Sequence, residues 1–252
     1  MVSRHTVPAL FVLLTTACSH PATTHKLSIA AAADLQFALA DAVHQFHQSH
    51  PQADVQVSYG SSGNFYAQIR NGAPFDLFLS ADVQYPRTLA QEGFARADSL
   101  FVYAAGRLAV WVPASSPLDP ATALRDPTVH RIAIANPQHA PYGRAAEAAL
   151  RHMGLYESVA KKLVLGENIS QTLQFVQSGA ADAGVVALSL AVAPTLRGQG
   201  RYWEVPLEAY PKMEQGGVIL KESATAREFR AWLLEPAGRW LLKQYGFFLP
   251  GE

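Results

Sequence analysis

The chain has 252 residues, 49% of them apolar and only 16% charged, so it can bury a sizeable core in one large domain or two lobes and is no disordered tail. Twenty Lys and Arg balance twenty Asp and Glu, and without a basic excess or stripe a nucleic-acid partner is disfavoured. The single cysteine, Cys18, excludes an intramolecular disulfide framework and a cysteine-based zinc site.

At the N-terminus, Arg4 precedes an apolar run from Val7 to Leu14, followed by small residues up to Cys18. The run is too short to span a bilayer and reads as an export signal over residues 1–17. Cys18 after Thr-Thr-Ala resembles a lipoprotein processing site, although Thr15 stands where Leu is usual. The other reading is a plain secretory peptide with an incidental cysteine. Residues 18–26 then form a short polar tether.

The body alternates strands and helices. LSIAAA (27–32) is an apolar strand, and the following helix carries Leu35, Ala38, Leu39, Ala42, Val43 and Phe46 at helical spacing until Pro51. ADVQVSY alternates as a strand, SSGN leads into a helix closed by Gly72, and FDLFLSA (75–81) is a third strand. A helix runs from Gln84 to Gly93. RLAVWVP and RIAIA (131–135) are strands, helices run from Pro141 to His152 and from Ile169 to Ser178, and AGVVAL is a strand. Such units imply α/β architecture with mostly parallel sheets flanked by helices. RLAVWVP breaks the rhythm, and VPLEAYPKMEQGGVIL is extended again near the end. Two lobes are therefore expected: lobe I from residues 27–106 and 216–252, lobe II from 107–215. The stretch from Ala224 to Gly246 is read as helical, with Trp232 and Trp240, like Trp203, as core residues.

Open parallel sheets bind ligands beyond the carboxyl edges of their strands. Four junctions there are small or polar and open a helix: AAAD (31–34), GSSGN (60–64), APYG (140–143) and ENIS (167–170). Helix starts present unpaired N–H groups and the positive end of the dipole, so several converging on one cleft would bind an anion without Lys or Arg. Ser61 and Ser62 add hydroxyl donors. Each junction also has a purely structural reading: Asn168 as an N-cap, Pro141 as the favoured first helical residue.

The segments SIAAAADL, VSYGSSGNFYAQIRNGAPFDLFLSAD, IANPQHAPYGRAA, the helix from Ile169 with GAADAGVVAL, and the terminal YGF resemble the periplasmic molybdate-binding proteins of ABC transporters, in order, from about residue 27 to 249. The resemblance implies a two-lobed type II periplasmic binding protein that holds a tetrahedral oxyanion, molybdate or tungstate, between its lobes. It also implies delivery to a membrane permease with a cytoplasmic ATPase, with no enzymatic step, no cofactor and no direct protein ligand to the metal. A monomer in the periplasm is expected, free or anchored through Cys18.

Carried over by position, the ligand contacts fall at Ala33 and Asp34, at Ser62 with Ser61 beside it, and at the N–H groups of Tyr142 and Ile169. Some members add a Tyr hydroxyl from the strand matching GVVAL, where this chain has Ala187. Asp34 also departs from the family, which often has Ser or Thr there. An ionised carboxylate has no donor and repels a dianion, so Asp34 is expected to cap the helix at Leu35 with its side chain turned away. A shared proton, a bridging cation or a different ligand are the other readings.

Competing functions are weaker. His44, His47 and His50 progress round a helix and read as a solvated face rather than a metal stripe. GSSG lacks the G-x-S-x-G elbow of a serine hydrolase, and residues 1–26 offer no helix-turn-helix for a regulator. Sulfate, phosphate and chromate remain alternative ligands.

Overall fold

The computed structural model describes Val2 and residues 25–252. Cys18 and nearly all of the expected signal and tether lie outside the described residues.

Lobe I begins with β1 (His25–Ala32), α1 (Gln36–Ser49), β2 (Ala53–Gly60), α2 (Ser62–Arg70), β3 (Leu77–Ser80), α3 (Gln84–Gln91) and β4 (Phe101–Gly106). Lobe II holds β5 (Leu108–Pro113), β6 (Ile132–Ala135), α4 (Pro141–His152), α5 (Tyr156–Val159), β7 (Leu163–Gly166), α6 (Ile169–Gln177), β8 (Ala183–Ala187), α7 (Leu188–Ala191) and β9 (Gly200–Glu204). The chain returns through β10 (Met213–Ile219), α8 (Ala224–Leu234) and α9 (Pro236–Gln244). Two five-stranded sheets result, in the orders β2-β1-β3-β10-β4 and β7-β6-β8-β5-β9. Within them β1, β2 and β3 run parallel, as do β6, β7 and β8, while β10 and β5 pair antiparallel. Parallel central strands are buried on both faces, which is why Leu77–Ser80 and Ile132–Ala135 read as unbroken apolar runs.

Several sequence expectations change. Strand β1 starts at His25, inside the expected tether, because His25 and Lys26 pair with Ala53 and Asp54. The return crossing falls before Met213 rather than after Gln215: Met213, Glu214 and Gln215 already pair with Gly106, Ala105 and Ala104 of β4. The closing helix is two helices broken at Glu235, since Pro236 has no N–H to continue the first. Trp240 is 60% exposed and not a core residue, and Trp203 and Trp232 are only partly buried; the fully buried tryptophan is Trp111. His44 and His47 face solvent and the His50 ring stacks on Phe46 at 4.0 Å, so the three do not converge on a metal, and no metal-competent cluster exists among the described residues.

Gly143 shows how tightly α4 seats on β6. A Cβ there would lie 2.2 Å from the Ala135 carbonyl oxygen and 2.8 Å from its carbon, and main chain inside a sheet cannot move aside cheaply. Gly143→Ala should therefore destabilise the protein by roughly 1–3 kcal/mol, read as a lower urea midpoint; an unchanged midpoint would show that α4 can slide.

Candidate functional site

The parallel strands of each lobe point their carboxyl ends at the lobe boundary. From lobe I, β1 runs into Ala33 and Asp34, β2 into Ser61 and Ser62, and β3 into Ala81. From lobe II, the segment after β6 leads to Tyr142, and that after β7 to Asn168 and Ile169. All six residues predicted from sequence, Ala33, Asp34, Ser61, Ser62, Tyr142 and Ile169, line one cavity. It has about 10 Å³ of room for the centre of a water molecule, roughly the space of one bound water. No Lys or Arg is among its lining residues.

Helix geometry accounts for the donors. Ser62 is the first residue of α2, Tyr142 the second of α4 behind Pro141, and Ile169 the first of α6; their N–H groups precede any intrahelical partner. Pro141 sits at the helix start as read, and the Asn168 side chain caps α6 by accepting the Gln171 N–H at 3.0 Å. The Ser62 hydroxyl accepts the Ala81 N–H at 3.0 Å, which fixes its oxygen and leaves its proton to donate. Ser61 differs: its hydroxyl donates to the His139 carbonyl at 2.6 Å, spending on lobe closure the proton that a ligand would need.

Asp34 overturns the capping expectation. The helical turn already begins at Ala33, so Ala32 occupies the capping position, and neither this turn nor α1 has a side-chain cap. Asp34 is 1% exposed, and its Oδ2 accepts the Tyr142 hydroxyl at 2.9 Å and the Gln215 amide at 2.6 Å. Burial pushes its carboxyl up to about 6, held back by the Gln215 and Tyr142 bonds and by nearby backbone N–H groups. Burial, and next the charge of Asp34, push Tyr142 and Tyr103 well above the usual phenol range, so both stay neutral donors. Tyr142 thus spends its hydroxyl on Asp34, while Ala187, fully buried, has no hydroxyl to offer.

The lobes are clasped across the boundary. From lobe II, the Ser170 hydroxyl lies 2.9 Å from the Ala33 carbonyl and 2.7 Å from Gln36 Oε1 and shares its one proton between them, Ser189 donates to the Asp34 carbonyl at 2.8 Å, and Arg144 reaches Asp82 at 2.8 Å. From lobe I, Gly63 N–H donates to the His139 carbonyl at 2.9 Å and Asn64 to Glu167 at 2.5 Å. His139 also approaches Ser61 Oγ at 3.0 Å through Nδ1 and Glu167 at 3.6 Å through Nε2. These are the residue types of a hydrolase triad, but the Ser61 proton is directed to a main-chain carbonyl, so the trio acts as a clasp. Sequence reasoning missed Gln215, Ser170, Ser189 and His139 as contributors. Gln215 is fully buried, but in the sequence it follows Lys212 and Glu214 and does not stand out.

Two lobes joined by two strand crossings, with a small cavity between them lined by helix starts from both, define a solute-binding protein, and the chain belongs to the bacterial extracellular solute-binding protein family, whose model matches residues 27–248. Within it, the chain is 37% identical to the molybdate-binding protein ModA of Azotobacter vinelandii over 228 residues, 89% of this chain and 90% of that protein. It is also 37% identical to ModA of Rhodobacter capsulatus over 196 residues, 77% of each. The solved structure of the Azotobacter vinelandii periplasmic molybdate-binding protein superposes with a TM-score of 0.83 at 35% identity, over 89% of this chain and 99% of that one.

The environment of Asp34 makes stability depend on pH in a fixed direction. Its folded value lies above its unfolded one, so the native state binds more protons in between, and stability is lost as pH rises from about 4 to about 6. Relative to Asp34→Asn, the wild type should lose roughly 3 kcal/mol across that window, measured by urea unfolding at each pH. Parallel pH profiles for the two proteins would mean that the carboxyl is solvated.

Proposed function

We propose that the protein captures molybdate outside the cytoplasm and delivers it to a membrane permease powered by a cytoplasmic ATPase. Tungstate, with the same charge and shape, is taken too. It works in the periplasm as a monomer, free or held through a lipid on Cys18, and it catalyses no reaction and needs no cofactor. The observation that carries this reading is the convergence of four helix or turn starts from both lobes on one cavity without Lys or Arg. The similarity to the molybdate-binding proteins named above supports the choice of ligand.

In this reading the anion is gripped by neutral donors. Main-chain N–H groups at Ala33 and Asp34 and the Ser62 N–H and hydroxyl hold it from lobe I; the N–H groups of Tyr142 and Ile169 hold it from lobe II. Each bond to a charged acceptor is stronger than a neutral one, and none brings a counter-charge that must be desolvated. Because donors sit on both lobes, only the closed form collects them all, so binding drives closure. Delivery is then the reverse: prising the lobes apart removes the donors of one lobe at once. The metal is bound as its oxyanion, with the donors reaching oxygen and no protein atom reaching molybdenum.

Size sets the selectivity in this scheme, since donors fixed on two closed lobes contact a large tetrahedral anion and leave a smaller one short of one wall. Calorimetry of the metal-free mature protein should show one-to-one molybdate binding worth about −8 kcal/mol or better, similar heats for tungstate, and far weaker binding of sulfate, phosphate and chromate. Equal affinity for sulfate would reject the ligand. Ser62→Ala removes one hydroxyl donor to a charged acceptor, about 1.5–3 kcal/mol, and should weaken molybdate binding roughly ten- to a hundredfold with the urea midpoint little changed. Unaltered affinity would move the site elsewhere.

A further inference from the structure

Asp34 carries a charge that its surroundings do not neutralise. Its carboxyl lies in the wall of the anion cavity, and among the described residues its side-chain hydrogen bonds come from Tyr142 and Gln215, neither of them a cation. Oδ2 receives two side-chain donors, the Tyr142 hydroxyl and the Gln215 amide, and the main-chain N–H groups of Asp34 and Leu35 also favour the charged form. Oδ1 is equally buried and receives none. The groups that face the carboxyl come from three elements: Tyr142 of α4, Tyr103 of β4 and Gln215 of β10, with Tyr210 behind Tyr142. Ser189 of α7 bonds only the Asp34 main-chain carbonyl. The tyrosines are neutral, and none of these groups supplies positive charge. A dianion in the same cavity would add two negative charges beside a buried third, and like charge raises the proton affinity of a carboxylate.

We propose that Asp34 is the proton-binding residue of the site, so that the cleft closes on the anion together with one proton, held on Asp34 Oδ1. This rests on the oxyanion reading above and extends it. One solvent proton bonds to a carboxylate oxygen; no bond of the anion is made or broken and nothing changes oxidation state. The proton converts Oδ1 from an unpartnered acceptor into a donor, leaves Oδ2 its two bonds, and removes the charge that would repel the ligand. An acceptor for the new O–H is at hand: Gln215 Oε1, on the amide already bonded to Asp34, is the other buried polar side-chain atom without a partner among the described residues. Tyr142 comes from lobe II and Gln215 from lobe I, so the protonated acid sits in a bond chain that crosses the closed boundary. Asp34 then acts in three ways: it positions Tyr142, it links closure to the return strand, and it makes capture respond to pH.

The sign of the response follows from linkage. Burial, partly offset by the hydrogen bonds to the carboxyl, pushes Asp34 up to about 6 without any anion, and a neighbouring dianion raises it further. The bound form therefore holds more protons than the free form, and affinity falls as pH rises, approaching tenfold per unit above about pH 6. His139, another side chain able to take up a proton near the cavity, touches Ser61 and provides the control.

The test is calorimetry of the full mature chain with molybdate at about pH 7, in buffers of different ionisation enthalpy, which counts protons taken up per anion. Wild type should take up close to one; Asp34→Asn, whose amide supplies the donor without a proton, should take up none and bind with a flat pH profile. His139→Gln, whatever its affinity, should keep the wild-type proton count. Infrared difference spectra of the wild type on adding molybdate give a second reading that needs no variant: a protonated carboxyl band should appear. Molybdate binding with no proton uptake and no such band would overturn the proposal, as would uptake that persists in Asp34→Asn or vanishes only in His139→Gln. Absence of any molybdate heat across this pH range is a different failure, since it overturns the oxyanion reading itself and this inference with it.

Discussion

An anion held by main-chain N–H groups at helix starts needs no positive side chain, and the rest of this molecule is arranged to make that sufficient. A helix-start donor is fixed by the helix behind it, so it loses almost no freedom on binding and cannot swing away to pair with something else. That economy requires the helices themselves to be placed accurately. The parallel strands do this: β1 and β2 aim the starts at Ala33 and Ser62 into the cleft from one side, while β6 and β7 lead to those at Tyr142 and Ile169 from the other. The close contact between Gly143 and Ala135, where no side chain fits, is one visible cost of bringing α4 down onto its strand.

Much of this was legible in the sequence because it is local. Apolar runs of four to six residues, helices at the 3.6 period, and small or polar residues at the junctions between them are all read within a window of a dozen residues. The junctions at 31–34, 60–64, 140–143 and 167–170 do line one cavity together with their neighbours. Asn168 behaves as its type and position predict, because an N-cap bond closes over three residues.

What was not legible is either non-local or turns on a single residue. Asp34 was read as a cap because the helix was started at Leu35; the turn starts at Ala33, and that shift carries the carboxylate from the mouth of the helix into the buried wall. Its partners, Tyr142 and Gln215, are 108 and 181 residues away, and no sequence window contains them. The boundary near residue 215 failed for a related reason: whether Met213 belongs to one lobe or the other depends on pairing with β4, not on its own neighbours. Trp240 shows the reverse error, in which a large apolar residue on a closing helix was assigned to the core although α9 keeps that face in solvent.

The same non-local contacts tie the cavity to the crossing strands. Gln215 sits on β10 where its register with β4 shifts, between Gln215 and Gly216, and its amide reaches the Asp34 carboxylate and, at 3.3 Å, the Tyr142 hydroxyl. The extra residue there lies on β4: Tyr103 falls between Ala104 and Val102, the partners of Gln215 and Gly216, and a bulge adds local twist where the two strands meet the cleft. In the proposed closure Tyr142 comes from the far lobe onto a carboxylate already held by the return strand, so parting the lobes would break a buried bond between them. In the proposed opening, water would reach Asp34 and remove the cost of keeping it buried. The carboxylate that looks misplaced in an anion site therefore gives the closed and open forms different electrostatic requirements, and the helix-start donors alone could not do so.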